Sequence, residues 1–159
     1  MTARQSTPAR TGVRTWTPAQ RFAALFGVVY LAVAVAGFAL TGFDDFLGMH
    51  HHHTLVIFAV NPLHNVIHLV LAAVWLASAP RHATARAANL ALGVVLGLVT
   101  VLGFTGGMGM LGMSGLADPD NFLHLATATL ALYFGSVAAG TPAAQPGATS
   151  EDRTSTWVA

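Results

Sequence analysis

The pattern Asn-x-x-His-Leu occurs twice in this chain, and it contains the side chains best suited to chemistry. The copies are Asn65-Val66-Ile67-His68-Leu69 and Asn121-Phe122-Leu123-His124-Leu125, and each lies at the start of a long apolar stretch. Asn and His are costly inside a membrane-like segment, where a polar residue usually has a partner or a function. Two copies in matching positions therefore indicate a shared role.

The residues around each copy extend it into a helical face. Near the first copy, the 0, 3, 4, 7 spacing puts four polar residues on one side of an α-helix: Asn61, His64, Asn65 and His68. Near the second copy, Asp120 and His124 lie one helical turn apart. Because the two segments repeat each other, we expect both faces to meet at similar depth in one polar cluster.

Two interpretations of this cluster need no bound ligand. In the first, hydrogen bonds from Asn61, Asn65 and Asn121 hold the helices in register, and each such bond contributes roughly 0.6 to 2 kcal/mol. In the second, the imidazoles relay protons, since His titrates near neutral pH. The apolar windows, the fourth of which runs from about Asn121 to Gly140, contain no acidic residue that would complete a relay, which argues against a pump.

A third interpretation is a metal or haem site. Three imidazoles and a carboxylate suit zinc or copper, and the candidate ligands are His64, His68, His124 and Asp120. The symmetric pair His68 and His124 is instead compatible with a haem b whose iron each histidine ligates from one face. The sequence leaves copper, zinc and haem b open as cofactors.

The two segments that precede these helices are rich in further metal-binding side chains. The loop candidates are His50, His51, His52, His53, Met108, Met110 and Met113. Imidazole and thioether are copper ligands, and thioether favours Cu(I). The alternatives are adventitious binding by the His run and a Met-rich loop that only seals a membrane surface.

The elements that must position these residues are apolar helices. Hydrophobic residues make up 54% of the 159 residues and charged residues 8%, against about 25% charged in soluble domains. Four apolar windows predict an all-α, four-helix transmembrane bundle with helices at about 19–42, 55–79, 86–105 and 119–140. Residues 1–18 and 141–159 are expected to be disordered tails. The absence of Cys excludes disulfides and thiolate sites.

The distribution of charge predicts the orientation in the membrane. All seven basic residues are Arg, and they lie before the first helix, between the second and third, or in the tail. The other two loops carry acidic residues, so the positive-inside rule places both termini in the cytoplasm of a multi-pass protein of the cell membrane. The partners considered are the lipid bilayer, a metal ion and a further copy of the chain. The dispersed Arg residues do not suit nucleic acid.

Two capping signals refine the helix starts. Asn61-Pro62 and Asp118-Pro119 each look like an N-cap followed by Pro at the first helical position. The second helix then begins near Pro62. The alternative is a start near Leu55 with a kink at Pro62, which would bury His68 more deeply.

The chain also repeats itself outside the Asn-x-x-His-Leu pattern. Between residues 27–38 and 93–104, seven of twelve positions are identical, including both Gly-Val-Val starts and both Gly-Phe ends. With the second match in the same order, this predicts that helices one and two duplicate helices three and four. Both halves start on the cytoplasmic side, so the repeat would be parallel, with an axis along the membrane normal.

The motifs His64-Asn65-Val66-Ile67-His68-Leu69 and Asp120-Asn121-Phe122-Leu123-His124-Leu125 resemble those of an uncharacterised family of small four-span membrane proteins common in actinobacteria. The resemblance implies a four-helix membrane bundle and supplies no activity. No nucleophile–base pair is visible, which makes enzyme catalysis the weakest class. The function expected is a membrane protein whose Asn/His cluster is structural or binds a ligand, with copper or zinc binding and a haem-bearing redox accessory as alternatives.

Overall fold

The computed structural model describes residues 15–48, 53–113 and 115–137. In chain order its elements are α1 Pro18–Thr41, β1 His53–Leu55, β2 Phe58–Val60, α2 Pro62–Ser78, α3 His82–Phe104, a single 3-10 turn Gly109–Leu111 and α4 Pro119–Ser136. The described part of the chain is thus mostly helical, with four α-helices. The expected disorder of the tails falls on residues outside the described ranges, apart from residues 15–18 at the start of α1.

Three of the helices begin at a polar residue followed by Pro. Thr17, Asn61 and Asp118 are the N-caps of α1, α2 and α4, and each side chain accepts a hydrogen bond from a backbone N–H of the first turn. Proline at the first helical position loses no hydrogen bond, because that N–H has no partner within the helix. The sequence therefore sets the residue at which each of these helices begins.

The second helix is shorter than the expected span of 55–79. It begins at Pro62, while residues before it form an antiparallel hairpin in which His53 pairs with Val60 and Leu55 with Phe58. Asn61 caps the N-terminus of α2, and the helix begins at Pro62. The alternative of a helix that starts near Leu55 and is kinked at Pro62 is therefore wrong. The third helix is longer than expected, since it starts at His82.

The helices pack closely in two pairs, α1 with α2 and α3 with α4. In the first pair, Gly27 lies against Leu76, and in the second, Gly93 lies against Leu132. A Cβ on either glycine would come within 3 Å of the facing leucine side chain. Glycine thus permits the close approach of the backbones that small residues give to helix interfaces.

Each pair is also joined by a hydrogen bond at the end opposite the hairpin. The side-chain Nε2 of Gln20 donates to the carbonyl of Ala79 at 3.0 Å, at the end of α2. The Nε of Arg86 donates to the carbonyl of Gly135 at 2.9 Å, near the end of α4. These donors satisfy carbonyls that have no partner within their own helix.

The interior of the bundle holds polar side chains beside an apolar core that includes Phe22, Tyr30, Leu71 and Trp75, and many further apolar side chains lie on the outside. The buried polar residues include Gln20, Asn65, Asn89, Thr100, Asp120, Asn121 and Thr127. The exposed apolar residues on α1 and α3 include Leu25, Val28, Val35, Val94, Leu98 and Val101. Within the described residues, α1 and α3 have the length and composition needed to cross a membrane, while α2 is apolar but shorter.

Candidate functional site

Three buried histidines converge near the starts of α2 and α4. His64 and His68 come from successive turns of α2, and His124 comes from α4. One ring nitrogen of each histidine lies within 4.8 Å of those of the other two. The ring centroids of His64 and His68 are 4.4 Å apart, and His124 lies 6.0 Å and 6.2 Å from them. Both Asn-x-x-His-Leu copies therefore contribute to one site.

Hydrogen bonds show which nitrogen of His64 is free. Its Nδ1 lies 3.3 Å from the carbonyl of Ala59 in β2. A carbonyl only accepts, so Nδ1 must carry the proton, which leaves the lone pair on Nε2. A backbone carbonyl that holds the other ring nitrogen in this way is the usual outer partner of a metal-binding imidazole.

Three ring nitrogens of the site lack a protein partner. They are Nε2 of His64, Nδ1 of His68 and Nδ1 of His124, all buried and without a hydrogen bond to any described residue. Most buried polar atoms are hydrogen-bonded, so each exception needs an explanation, such as an ion. Tyr30 packs edge-on against His68 with centroids 5.0 Å apart, which orients that ring.

A cavity of about 200 Å³ adjoins the three imidazoles. Among the described residues, the other lining side chain with a metal-donor atom is Met108, from the loop after α3. The remaining lining side chains are apolar: Ile67, Leu71, Val95, Leu96, Val99 and Leu111. The three histidines thus border a space whose surface is almost wholly apolar, with their unpartnered nitrogens buried beside it.

The asparagines predicted for the cluster form hydrogen bonds to the backbone and to neighbouring helices. The Asn61 side chain caps His64 N–H at 2.8 Å, and its amide donates to the carbonyl of Met110 at 2.8 Å. Asn65 donates to the Thr41 hydroxyl at 3.0 Å. These bonds tie α2 to α1 and to the loop beyond α3.

The second copy of the motif makes a comparable tie. Asn121 donates to the carbonyl of Gly115 at 2.7 Å. Asp120 is 1% exposed, and its Oδ2 has no hydrogen bond to a described residue. Among the described residues, the group of mutually close ligand atoms contains the three histidines and not Asp120.

The methionine and histidine candidates of the loops are separated by the fold. Met108 reaches the histidine cavity, Met110 is 59% exposed, and Met113 is 0% exposed beside Gly103. His53 begins β1 and lines a surface pocket together with Asp44 and other residues. His50, His51 and His52 lie outside the described residues.

A family model described as "Domain of unknown function (DUF4383)" matches residues 20–137. The chain belongs to this family. The match takes in all four helices apart from the first two residues of α1, and it confirms the prediction of an uncharacterised family. No curated protein and no solved structure matches the chain.

One polar contact in the core of this DUF4383 chain is not part of either sequence motif. Trp75 donates its indole N–H to Asn89 Oδ1 at 3.0 Å, and Asn89 donates to the carbonyl of Ala19 at 3.1 Å. Both side chains are 0% exposed, and they join α1, α2 and α3. The available signal was Asn89 itself, a lone amide inside an apolar window.

Proposed function

We propose that this DUF4383 protein is a multi-span integral membrane protein that binds a transition-metal ion through His64, His68 and His124. The observation that carries the proposal is the convergence of three buried imidazoles, each of which has one ring nitrogen within 4.8 Å of a ring nitrogen of the other two. In a tetrahedral site with bonds of about 2.0–2.1 Å, ligand nitrogens stand roughly 3.3 Å apart. Small side-chain rotations would bring these rings into that arrangement.

The distribution of side chains supports the membrane part of this proposal. Fully buried polar groups occur together with many exposed valines and leucines, and an exposed apolar surface of this extent is unusual for a water-soluble bundle. At 1.5 Å per residue, α1 and α3 are about 35 Å long and α2 and α4 about 26 Å, against a hydrocarbon core of roughly 30 Å. All four helices are assigned as spans, with both termini in the cytoplasm according to the Arg distribution.

Equivalent contacts in the two helix pairs support an origin by duplication. Gly37 faces Asn65 as Gly103 faces Asn121. Likewise, the bond from Gln20 to the end of α2 corresponds to the bond from Arg86 to the end of α4. In that alignment His68 corresponds to His124, while His64 corresponds to Asp120. A metal between the two histidines would therefore lie near the axis that relates the two halves.

Copper in the Cu(I) state is the metal we favour, and zinc is second. The three imidazoles are neutral ligands in an apolar surrounding, and the thioether of Met108 lines the same cavity. Burying charge is costly and neutral ligands offset none of it, which favours a monovalent ion over a divalent one. Soft sulfur donors also select Cu(I).

The haem alternative is disfavoured by space. The cavity beside the histidines holds about 200 Å³. Pockets for drug-sized ligands occupy about 300–1,000 Å³, and a haem macrocycle belongs in that size class. The asparagines, by contrast, have their own structural role, because Asn61 and Asn65 each donate to a distant segment and Asn121 donates to the loop that leads into α4.

The proposal is tested by metal analysis of the purified full-length protein. The parent variant carries Ser at residues 50–53, which removes adventitious binding by the His run. After loading with Cu(I) and gel filtration, we expect copper equimolar with protein. His64→Ala, His68→Ala and His124→Ala should each lose it.

The matched control is His82→Ala. His82 begins α3, and its Nδ1 hydrogen-bonds the Thr17 hydroxyl at 2.8 Å, away from the three-histidine group. This variant should retain copper. A parent variant without equimolar metal, or site variants that keep it, would overturn the proposal.

A further inference from the structure

The cavity beside the three histidines is suited to a second ligand besides a metal ion. Three imidazoles leave a Cu(I) ion at least one coordination position for another donor. The cavity adjoins all three rings, and in the described part of the chain the further metal-donor atom among its lining side chains is the sulfur of Met108. A thioether is a weak donor that a small ligand can displace.

The lining decides which ligands fit. Once the imidazole lone pairs are bound to metal, the described lining retains as hydrogen-bonding groups the second ring nitrogens of His68 and His124 and the weakly accepting sulfur of Met108, while the rest of its surface is apolar. Apolar cavities of this kind stay dry, and one of about 150 Å³ binds benzene or xenon. A cationic ligand would add to the positive charge of the metal ion, at a high cost in free energy. The apolar lining of the space of about 200 Å³ also gives a hydrated ion no replacement for its water, which favours a small neutral molecule.

The position of the cavity also provides a route to it. Val95, one of the lining residues, is 47% exposed on the outside of α3. Val99, one turn further on, lines the cavity and is half-buried. In the membrane placement proposed above, this surface faces hydrocarbon, in which neutral diatomic molecules dissolve readily.

We propose that the cavity lined by Leu71, Val95, Val99 and Met108 admits a small neutral diatomic molecule, such as carbon monoxide or dioxygen, to a metal held by His64, His68 and His124. This inference rests on the proposed metal site. It adds the class of the second ligand and an approach from the lipid side, between α2 and α3.

Binding of a diatomic ligand to the metal is tested with carbon monoxide. The protein used is the Cu(I)-loaded variant whose residues 50–53 are Ser. Infrared spectroscopy should show one C–O stretching band of an intensity that matches the copper content. Val99→Phe should keep its copper but reduce the band at least tenfold, because the ring fills the cavity. Val94→Phe is the control, since Val94 is 54% exposed on the same helix and does not line the cavity.

The cavity half is tested with xenon on the same Cu(I)-loaded protein, in which the imidazole lone pairs are occupied. Xenon should give a shifted ¹²⁹Xe resonance that persists in Val94→Phe and is lost in Val99→Phe. A copper-loaded protein with no C–O band, an undiminished band in Val99→Phe, or the absence of a xenon shift would overturn the inference and leave the metal site standing. Failure to bind copper at all would overturn the proposed function and this inference together.

Discussion

The side-chain amide of Asn65 occupies the space in which a side chain on Gly37 would lie. Any Cβ at position 37 would collide with that amide, so the helix that presents Asn65 requires glycine opposite it. The same relationship holds between Asn121 and Gly103. In each helix pair, the asparagine beside the histidine site thus packs directly against the backbone of the partner helix.

Gly37→Ala should therefore destabilise the protein, although alanine is the better helix former. Overpacking a close contact costs about 1–3 kcal/mol, and we expect a loss of that size in unfolding by SDS from mixed micelles. Gly97→Ala is the matched control, because no described atom lies within 4 Å of a Cβ at that position. Equal stability of both variants would contradict the close packing of Asn65 against Gly37.

Copper should stabilise the folded protein by mass action. A ligand at 100 times its dissociation constant stabilises the state that binds it by about 2.7 kcal/mol. On the scale of soluble domains of this size, that raises the melting temperature by roughly 5 °C or more. Melting followed by circular dichroism should show this increase in the parent protein and none in His124→Ala. An equal rise in His124→Ala would place the bound copper elsewhere.

Met108→Leu should weaken Cu(I) binding without abolishing it. Leucine preserves the volume of methionine but removes the sulfur, so we expect an affinity loss of about tenfold, equivalent to roughly 1.4 kcal/mol. Competition with a coloured Cu(I) chelator measures the change. Met110→Leu, a substitution at a 59% exposed residue, should have no effect. If the two variants bind Cu(I) equally, the thioether of Met108 is not a ligand.

Removal of the Asn89 amide should destabilise the end of the bundle away from the histidines. In Asn89→Ala the indole N–H of Trp75 loses its acceptor and the carbonyl of Ala19 loses a donor. We expect a cost of about 1–2 kcal/mol, in the range of unsatisfied buried groups and of polar contacts in membranes. A double-mutant cycle with Trp75→Phe measures the pairwise energy, and a coupling of zero would count against the hydrogen bond.

Single cysteines should report the orientation of the loops, since the natural chain has none. Leu116 precedes α4 and is 73% exposed, whereas Ala83 lies at the exposed start of α3. In intact cells, a membrane-impermeant maleimide should label Leu116→Cys. It should label Ala83→Cys only after permeabilisation. The reverse pattern would invert the proposed topology.

Much of the fold could be predicted because its signals are local. The spacing of His64 and His68 follows from helical periodicity, and the Asn61-Pro62 signal sets where α2 begins. The hairpin before α2 was harder to predict, because a short apolar run suits a strand or a helix equally well. The close pairing of His53 with Val60 depends on a turn whose residues carry no strong signal.

The candidate site could be predicted only as a set of residues. The repeat indicated that His124 would meet the α2 histidines, and its ring does lie 6.0 Å from that of His64. It did not indicate that Met108 would reach the cavity while Met110 stays exposed. Loop methionines have no periodicity, so only the path of the backbone decides which sulfur faces inward.

The sequence by itself determined the helices, their caps, the apolar surfaces and the polar face of α2, because each depends on residues within a few turns of one another. Only the tertiary structure decided that three imidazole nitrogens converge and that Asp120 stands outside their group. It also decided that an apolar cavity adjoins the imidazoles. Those features depend on the depth and rotation of α2 and α4, which are set by close contacts such as Gly37 with Asn65.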